Sequence, residues 1–163
     1  MAHLKPLKQW YCDVCGKVIK KPEDGYVIWS ENDDWEITDI KIIHQGREGR
    51  GRPFGCDRGD PNYSCSLPLD AFLGDIGKAE LLAMVDPGPR FCGEYKSHIA
   101  DKRMFIEFVK RVQLPYYEEA RLCMGSEAGS RVLDGANEVY AILPRTLKAI
   151  IDACDEDEQI EQK

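Results

Sequence analysis

Cys12 and Cys15, followed directly by Gly16 and Lys17, are the residues whose types and spacing are best suited to shared chemistry. Two thiolates three positions apart on a tight turn can face one ion, and Zn²⁺ takes such soft ligands in a tetrahedron. Gly16 suits that turn, since glycine accepts the left-handed backbone a cysteine knuckle needs. A structural site requires two further ligands, and His44, Cys56 and Cys65 are the candidates. In Ile40-Lys41-Ile42-Ile43-His44 the strand period puts Ile40, Ile42 and His44 on one face, so the imidazole projects with core-facing isoleucines. Cys56 follows a glycine-rich stretch long enough to bring it back beside such a strand. The reading taken is one structural Zn²⁺ held by Cys12, Cys15, His44 and Cys56. The alternative is a Cys₄ site with Cys56 and Cys65, in which a thiolate just ahead of a helix gains from the helix dipole. Cys92, Cys123 and Cys154 read as small buried apolar residues. His3 and His98 have no partner pattern.

These residues need elements to position them. Pro22-Glu23-Asp24-Gly25 is a turn composition and leads into Tyr26-Val27-Ile28-Trp29, aromatic and β-branched as strands are. Asn32-Asp33-Asp34 marks a reversal. Trp35-Glu36-Ile37-Thr38 then alternates, and Ile40-Lys41-Ile42 resumes in the opposite phase, which predicts a bulge or turn near Asp39. Residues 46–55, glycine-rich with three arginines, read as a mobile loop; the lysine-serine/threonine ending of a phosphate-binding P-loop is missing. A helix is expected from Pro68 to Leu73 with Ser66 as its cap and Gly74 as its stop, and a second over 78–85. Further helices are expected over 101–113, where Met104, Phe105, Phe108, Val109 and Val112 form a stripe, over 116–124, and over 143–154. The expected class is therefore α+β: a zinc-knuckle hairpin unit with two short helices (1–88), a linker (89–100), a helical region (101–154) and a disordered acidic tail (155–163).

Composition limits the partners. The chain has 163 residues, 43% hydrophobic and 31% charged, enough to build a core. No signal-peptide core or 18-residue apolar run occurs, so a cytoplasmic protein without membrane association is expected. A reducing compartment and seven cysteines point to metal ligation and burial rather than a disulfide framework. Of the formal charge of −7, residues 152–163 carry −5, while residues 1–21 hold five lysines against Asp13 and residues 22–40 carry seven acids and no base. That pattern gives no broad basic face for nucleic acid.

Residues 10–56, with the C-x-x-C-G-K knuckle, a following hairpin and distant second ligands, resemble the zinc-ribbon and treble-clef class of small zinc domains. The commonest zinc ribbons carry a second C-x-x-C, which this chain lacks. Residues 10–88 also resemble uncharacterised bacterial proteins with a W-Y-C-x-x-C-G start, an I-I-H-x-G segment and a P-L-x-x-F-L-G helix. The resemblance implies a metal-binding fold and no activity.

The leading functional expectation is a non-catalytic interaction or scaffold module whose partner is another protein. A nucleic-acid-binding transcription regulator using the lysine-rich N-terminus is the alternative. A zinc enzyme or a thiol redox protein is the second alternative. The deaminase H-x-E with P-C-x-x-C and the H-E-x-x-H pattern are missing, so no catalytic residue is assigned.

Overall fold

The structure is a computed structural model that describes residues 3–46, 55–56, 61–86 and 98–161. Its class is α+β. The chain gathers into two compact units, Lys8–Gln113 and Leu114–Lys163 with Met1–Leu7.

The first unit begins with β1 (Trp10–Tyr11) and β2 (Val18–Ile19), a short antiparallel ribbon whose connection carries the cysteine pair. β3 (Gly25–Glu31) and β4 (Glu36–His44) form the central hairpin. β5 (Cys65–Pro68) pairs antiparallel with β3, and β6 (His98–Ile99) pairs parallel with β4, giving the order β5-β3-β4-β6. The phase slip read near Asp39 is a bulge: Ser30 lies opposite Asp39 and Glu31 opposite Ile37, which leaves Thr38 as the extra residue. β4 is buried on both faces over Ile40, Ile42 and Ile43, which is why its apolar residues do not simply alternate.

The sheet is covered by α1 (Gly74–Val85) and α2 (Lys102–Gln113). Phe72 is fully buried and meets Trp29 edge-on at 6.5 Å and Phe108 at 5.2 Å, joining β3, the turn before α1 and α2 in one core. The helix expected from Pro68 to Leu73 is absent as such. Residues through Pro68 extend β5, Leu69–Phe72 make a 3-10 turn, and Gly74 opens α1 instead of closing a helix. Edge pairing with β3 outweighs local helix propensity here. The packing of α1 depends on Gly77, where a Cβ would come within 2.2 Å of the Phe72 carbonyl oxygen.

The second unit contains α3 (Tyr117–Ala120), α4 (Glu127–Leu133) and α5 (Pro144–Glu161). Its core is Tyr117, Ala120, Cys123, Ala128, Leu147, Ile150, Ile151 and Cys154. The helix expected over 116–124 is a single turn, because Tyr116 has a left-handed backbone (φ 71°) and α4 starts afresh at the Ser126 cap, whose hydroxyl accepts from Gly129 N–H at 3.0 Å. α5 runs on through residues expected as a disordered tail. Buried Ile150, Ile151 and Cys154 anchor it, and Arg131 reaches Asp157 at 2.8 Å. Within this unit Leu4 N–H donates to Glu119 at 3.1 Å. The arginines of the 46–55 loop, Cys92, and the expected linker up to residue 97 lie outside the described residues.

Candidate metal centre

Cys12, Cys15, His44 and Cys56 come together so that their four ligand atoms all lie within 4.8 Å of one another. Three segments supply them. Cys12 and Cys15 stand on the β1–β2 connection, closed by Gly16 N–H to the Cys12 carbonyl (2.9 Å) and by Cys12 N–H to the Lys17 carbonyl (3.0 Å). Gly16 adopts φ 68°, the left-handed conformation expected of it. His44 ends β4. Cys56 is brought to it by its own N–H, which donates to the His44 carbonyl at 3.3 Å.

The imidazole is oriented rather than merely near. Its Nδ1 faces two sulfurs, 3.4 Å from Cys15 Sγ and 3.6 Å from Cys56 Sγ, while Nε2 lies 3.3 Å from the Val18 carbonyl. A carbonyl can only accept, so Nε2 is the nitrogen placed to donate, and in that tautomer of the neutral ring Nδ1 presents a lone pair to the sulfurs. That is how a metal-ligating histidine is set by its outer partner.

The knuckle is strapped to the rest of its unit through Asp13. Asp13 N–H donates to the Ile42 carbonyl (2.8 Å), and Asp13 Oδ2 accepts from Ile42 N–H (2.6 Å) and from Arg111 Nη1 (2.8 Å). Arg111 Nη2 also donates to the Tyr11 carbonyl (3.2 Å), and Trp10 Nε1–H donates to the Arg111 carbonyl (3.0 Å). The Arg111 side chain is almost wholly buried. Sequence reasoning missed this pair, although a charged residue beside Phe108 and Val112 on an otherwise apolar helix face was a visible signal.

The sulfurs titrate in opposite directions. Burial raises the Cys56 thiol and nearby Cys12 and Cys15 raise it further, to about 11. Cys15 is pulled below the ordinary thiol value: burial opposes this, but the Lys17 backbone, the Cys12 and Cys56 thiols and the Lys17 ammonium outweigh it. Such sulfurs need a cation among them to be thiolates together.

Cys65 stands elsewhere, on β5 opposite Trp29 with the Ser64 hydroxyl at 3.7 Å. Cys123 and Cys154 are buried in the second unit, and burial followed by the neighbouring Cys154 pushes the Cys123 thiol up to about 12. It remains a neutral, apolar-behaving group there. Asp39 and Lys41 of β4, with Tyr63 ahead of β5, form a further close polar group. Tyr63 hydroxyl donates to Asp39 (2.5 Å) and contacts Lys41 Nζ. Burial raises the Tyr63 hydroxyl and the Tyr63 hydrogen bond raises Lys41, so each holds its proton more tightly and neither is primed as a base.

No helix among the described residues is long and apolar enough to cross a membrane. Comparison of the chain with protein-family models, with curated proteins and with solved structures gives no match.

Proposed function

We propose that Cys12, Cys15, His44 and Cys56 hold one structural Zn²⁺, and that the chain is a non-catalytic protein-interaction module with a zinc knuckle of the ribbon or treble-clef kind. One observation carries the metal. With Zn–S near 2.3 Å and Zn–N near 2.05 Å, a tetrahedron has sulfur-to-nitrogen edges of about 3.6 Å. Two of the three Sγ–Nδ1 separations are 3.4 and 3.6 Å, and all four ligand atoms lie within 4.8 Å of one another. Three sulfurs and one imidazole favour Zn²⁺ over the harder Mg²⁺ and Ca²⁺, which take oxygen ligands.

The non-catalytic reading follows from the same count. Four protein ligands close a tetrahedron, whereas a catalytic zinc keeps a position open for water or substrate. What the site supplies is a rigid platform. The bound ion would fix the β1–β2 ribbon, the end of β4 and the residues around Cys56 relative to one another.

Elemental analysis of purified protein is expected to find about one Zn²⁺ per chain. His44→Ala and Cys12→Ser should each lower zinc affinity by more than the roughly 100-fold upper range for losing an outer partner. Cys65→Ser should leave stoichiometry and affinity unchanged. A folded, metal-free wild-type preparation whose near-UV dichroism is unaltered by added Zn²⁺ would overturn the reading.

A further inference from the structure

We propose that the tip of the β3–β4 hairpin is a docking site at which Trp35, flanked by the Asp33 and Asp34 carboxylates, receives an arginine or lysine side chain from a basic segment of a partner protein. This rests on the reading of the chain as an interaction module and names the class of partner.

Trp35 is anomalous on two independent counts. It is 68% exposed, although a tryptophan kept for the core is buried. It also adopts φ 62°, a left-handed conformation that glycine or asparagine takes readily and a bulky side chain resists. Neither packing nor turn geometry calls for an indole at this position. Strain and exposure held together are what a functional anchor shows.

The turn is built to present it. Asn32 N–H donates to the Glu36 carbonyl and Trp35 N–H to the Asn32 carbonyl, both at 3.0 Å. The Asn32 side-chain oxygen accepts from Asp34 N–H (3.0 Å) and Glu36 N–H (2.9 Å), and its amide donates to the Glu36 carboxylate (2.7 Å). One asparagine therefore fixes all of the turn's geometry, and the ring is displayed on a preorganised support.

Charge selects the occupant. Residues 31–39 contain five acids and no lysine or arginine. Three of the acids are engaged: Glu31 accepts from Trp29 Nε1 (3.0 Å), Glu36 from Asn32 (2.7 Å) and Asp39 from Tyr63 (2.5 Å). Asp33 and Asp34 are exposed, and no ion pair engages them among the described residues. An indole face attracts a cation most strongly of the aromatic rings, and two neighbouring carboxylates add to that attraction. The same carboxylates repel phosphate, so a nucleic acid or an anionic lipid surface is disfavoured here.

The test titrates the full-length zinc protein with a peptide of alternating glycine and arginine, alongside its lysine and glutamate counterparts and a neutral oligosaccharide. The readout is the Trp35 indole N–H resonance. The arginine and lysine peptides should shift it, with affinity falling as salt rises. Trp35→Gly should lose at least about tenfold in affinity while its thermal midpoint rises by about 2–4 °C, because glycine relieves the backbone. Asp33→Asn combined with Asp34→Asn should weaken binding with the midpoint unchanged. An unshifted Trp35 resonance, equal binding of the glutamate peptide or the oligosaccharide, undiminished affinity of Trp35→Gly, or a lowered Trp35→Gly midpoint would each overturn the proposal. Zinc is measured on the same samples: peptide binding by a zinc-free protein would keep this inference and sink the metal reading instead.

Discussion

Asp13 sits between the two knuckle cysteines, and its carboxylate meets the Arg111 guanidinium at 2.8 Å. Arg111 is 8% exposed and Asp13 21%, so the pair lies mostly out of water. Breaking a buried pair from one side leaves an uncompensated charge and costs about 3–5 kcal/mol. Since Asp13 is partly wetted, Asp13→Ala is expected to cost about 2–3 kcal/mol in denaturant unfolding, and to weaken zinc binding because the knuckle loses its strap to Ile42 and Arg111. A cost below about 0.5 kcal/mol would mean the knuckle does not depend on this strap. The contrast with the cysteine–histidine cluster is instructive. The pairing of Cys12 and Cys15 was legible because a turn of four residues sets their geometry, whereas strand phase alone did not single out a side for His44, since both faces of β4 are buried. Asp13 and Arg111 are 98 positions apart, and their meeting depends on how α2 packs, which no local pattern encodes.

At the scale of elements, the strongly periodic pieces were readable and the pieces fixed by tertiary pairing were not. The α2 stripe was plain because Phe105, Phe108 and Val112 repeat at helical spacing and are all buried. β5 was misread as the approach to a helix. Four residues, Cys65–Pro68, carry too short a pattern to declare a strand, and only the partner β3 makes them one. β6, two residues long, was invisible for the same reason. α1 shows a further limit. Its Leu81 is buried while Leu82 and Ile76 are largely exposed, so both sides are apolar and amphipathicity does not announce the inward one. Close approach at Gly77 does that. Alanine normally favours an internal helix position over glycine by about 1 kcal/mol. Gly77→Ala should nonetheless destabilise by about 1–3 kcal/mol, the range for overpacking, because the added methyl would fall 2.0 Å from the Phe72 carbonyl carbon. Lys78→Ala one position along, on the exposed side, should change stability by less than about 0.5 kcal/mol. If both variants melt alike, the tight contact between α1 and the Phe72 turn is not what seats the helix.

At the scale of the whole chain, spectroscopic probes divide between the two units in a way that lets metal dependence be assigned. The protein has three tryptophans, Trp10, Trp29 and Trp35, and all belong to Lys8–Gln113. Trp10 is fully buried next to the knuckle, bonded to the Arg111 carbonyl at 3.0 Å. Fluorescence therefore reports the unit that contains Cys12, Cys15, His44 and Cys56. Leu114–Lys163 has its own core and contains α5, 18 residues of helix with no residue of the cluster. Apparent zinc-binding energies in small zinc domains are about 10–16 kcal/mol, comparable to the whole stability of a domain of this size. Stripping the ion with a strong chelator is thus expected to red-shift and quench tryptophan emission, as Trp10 meets water. Part of the far-UV helical signal should survive, because α5 keeps the apolar contacts of Leu147, Ile150 and Ile151. Returning Zn²⁺ should restore emission in a one-to-one titration. Emission and helicity vanishing together would show that the second unit cannot stand without the first. Neither changing would mean that the apolar core around Trp10, Ile42 and Phe72 is sufficient, and that the four ligands do not stabilise the fold through a metal.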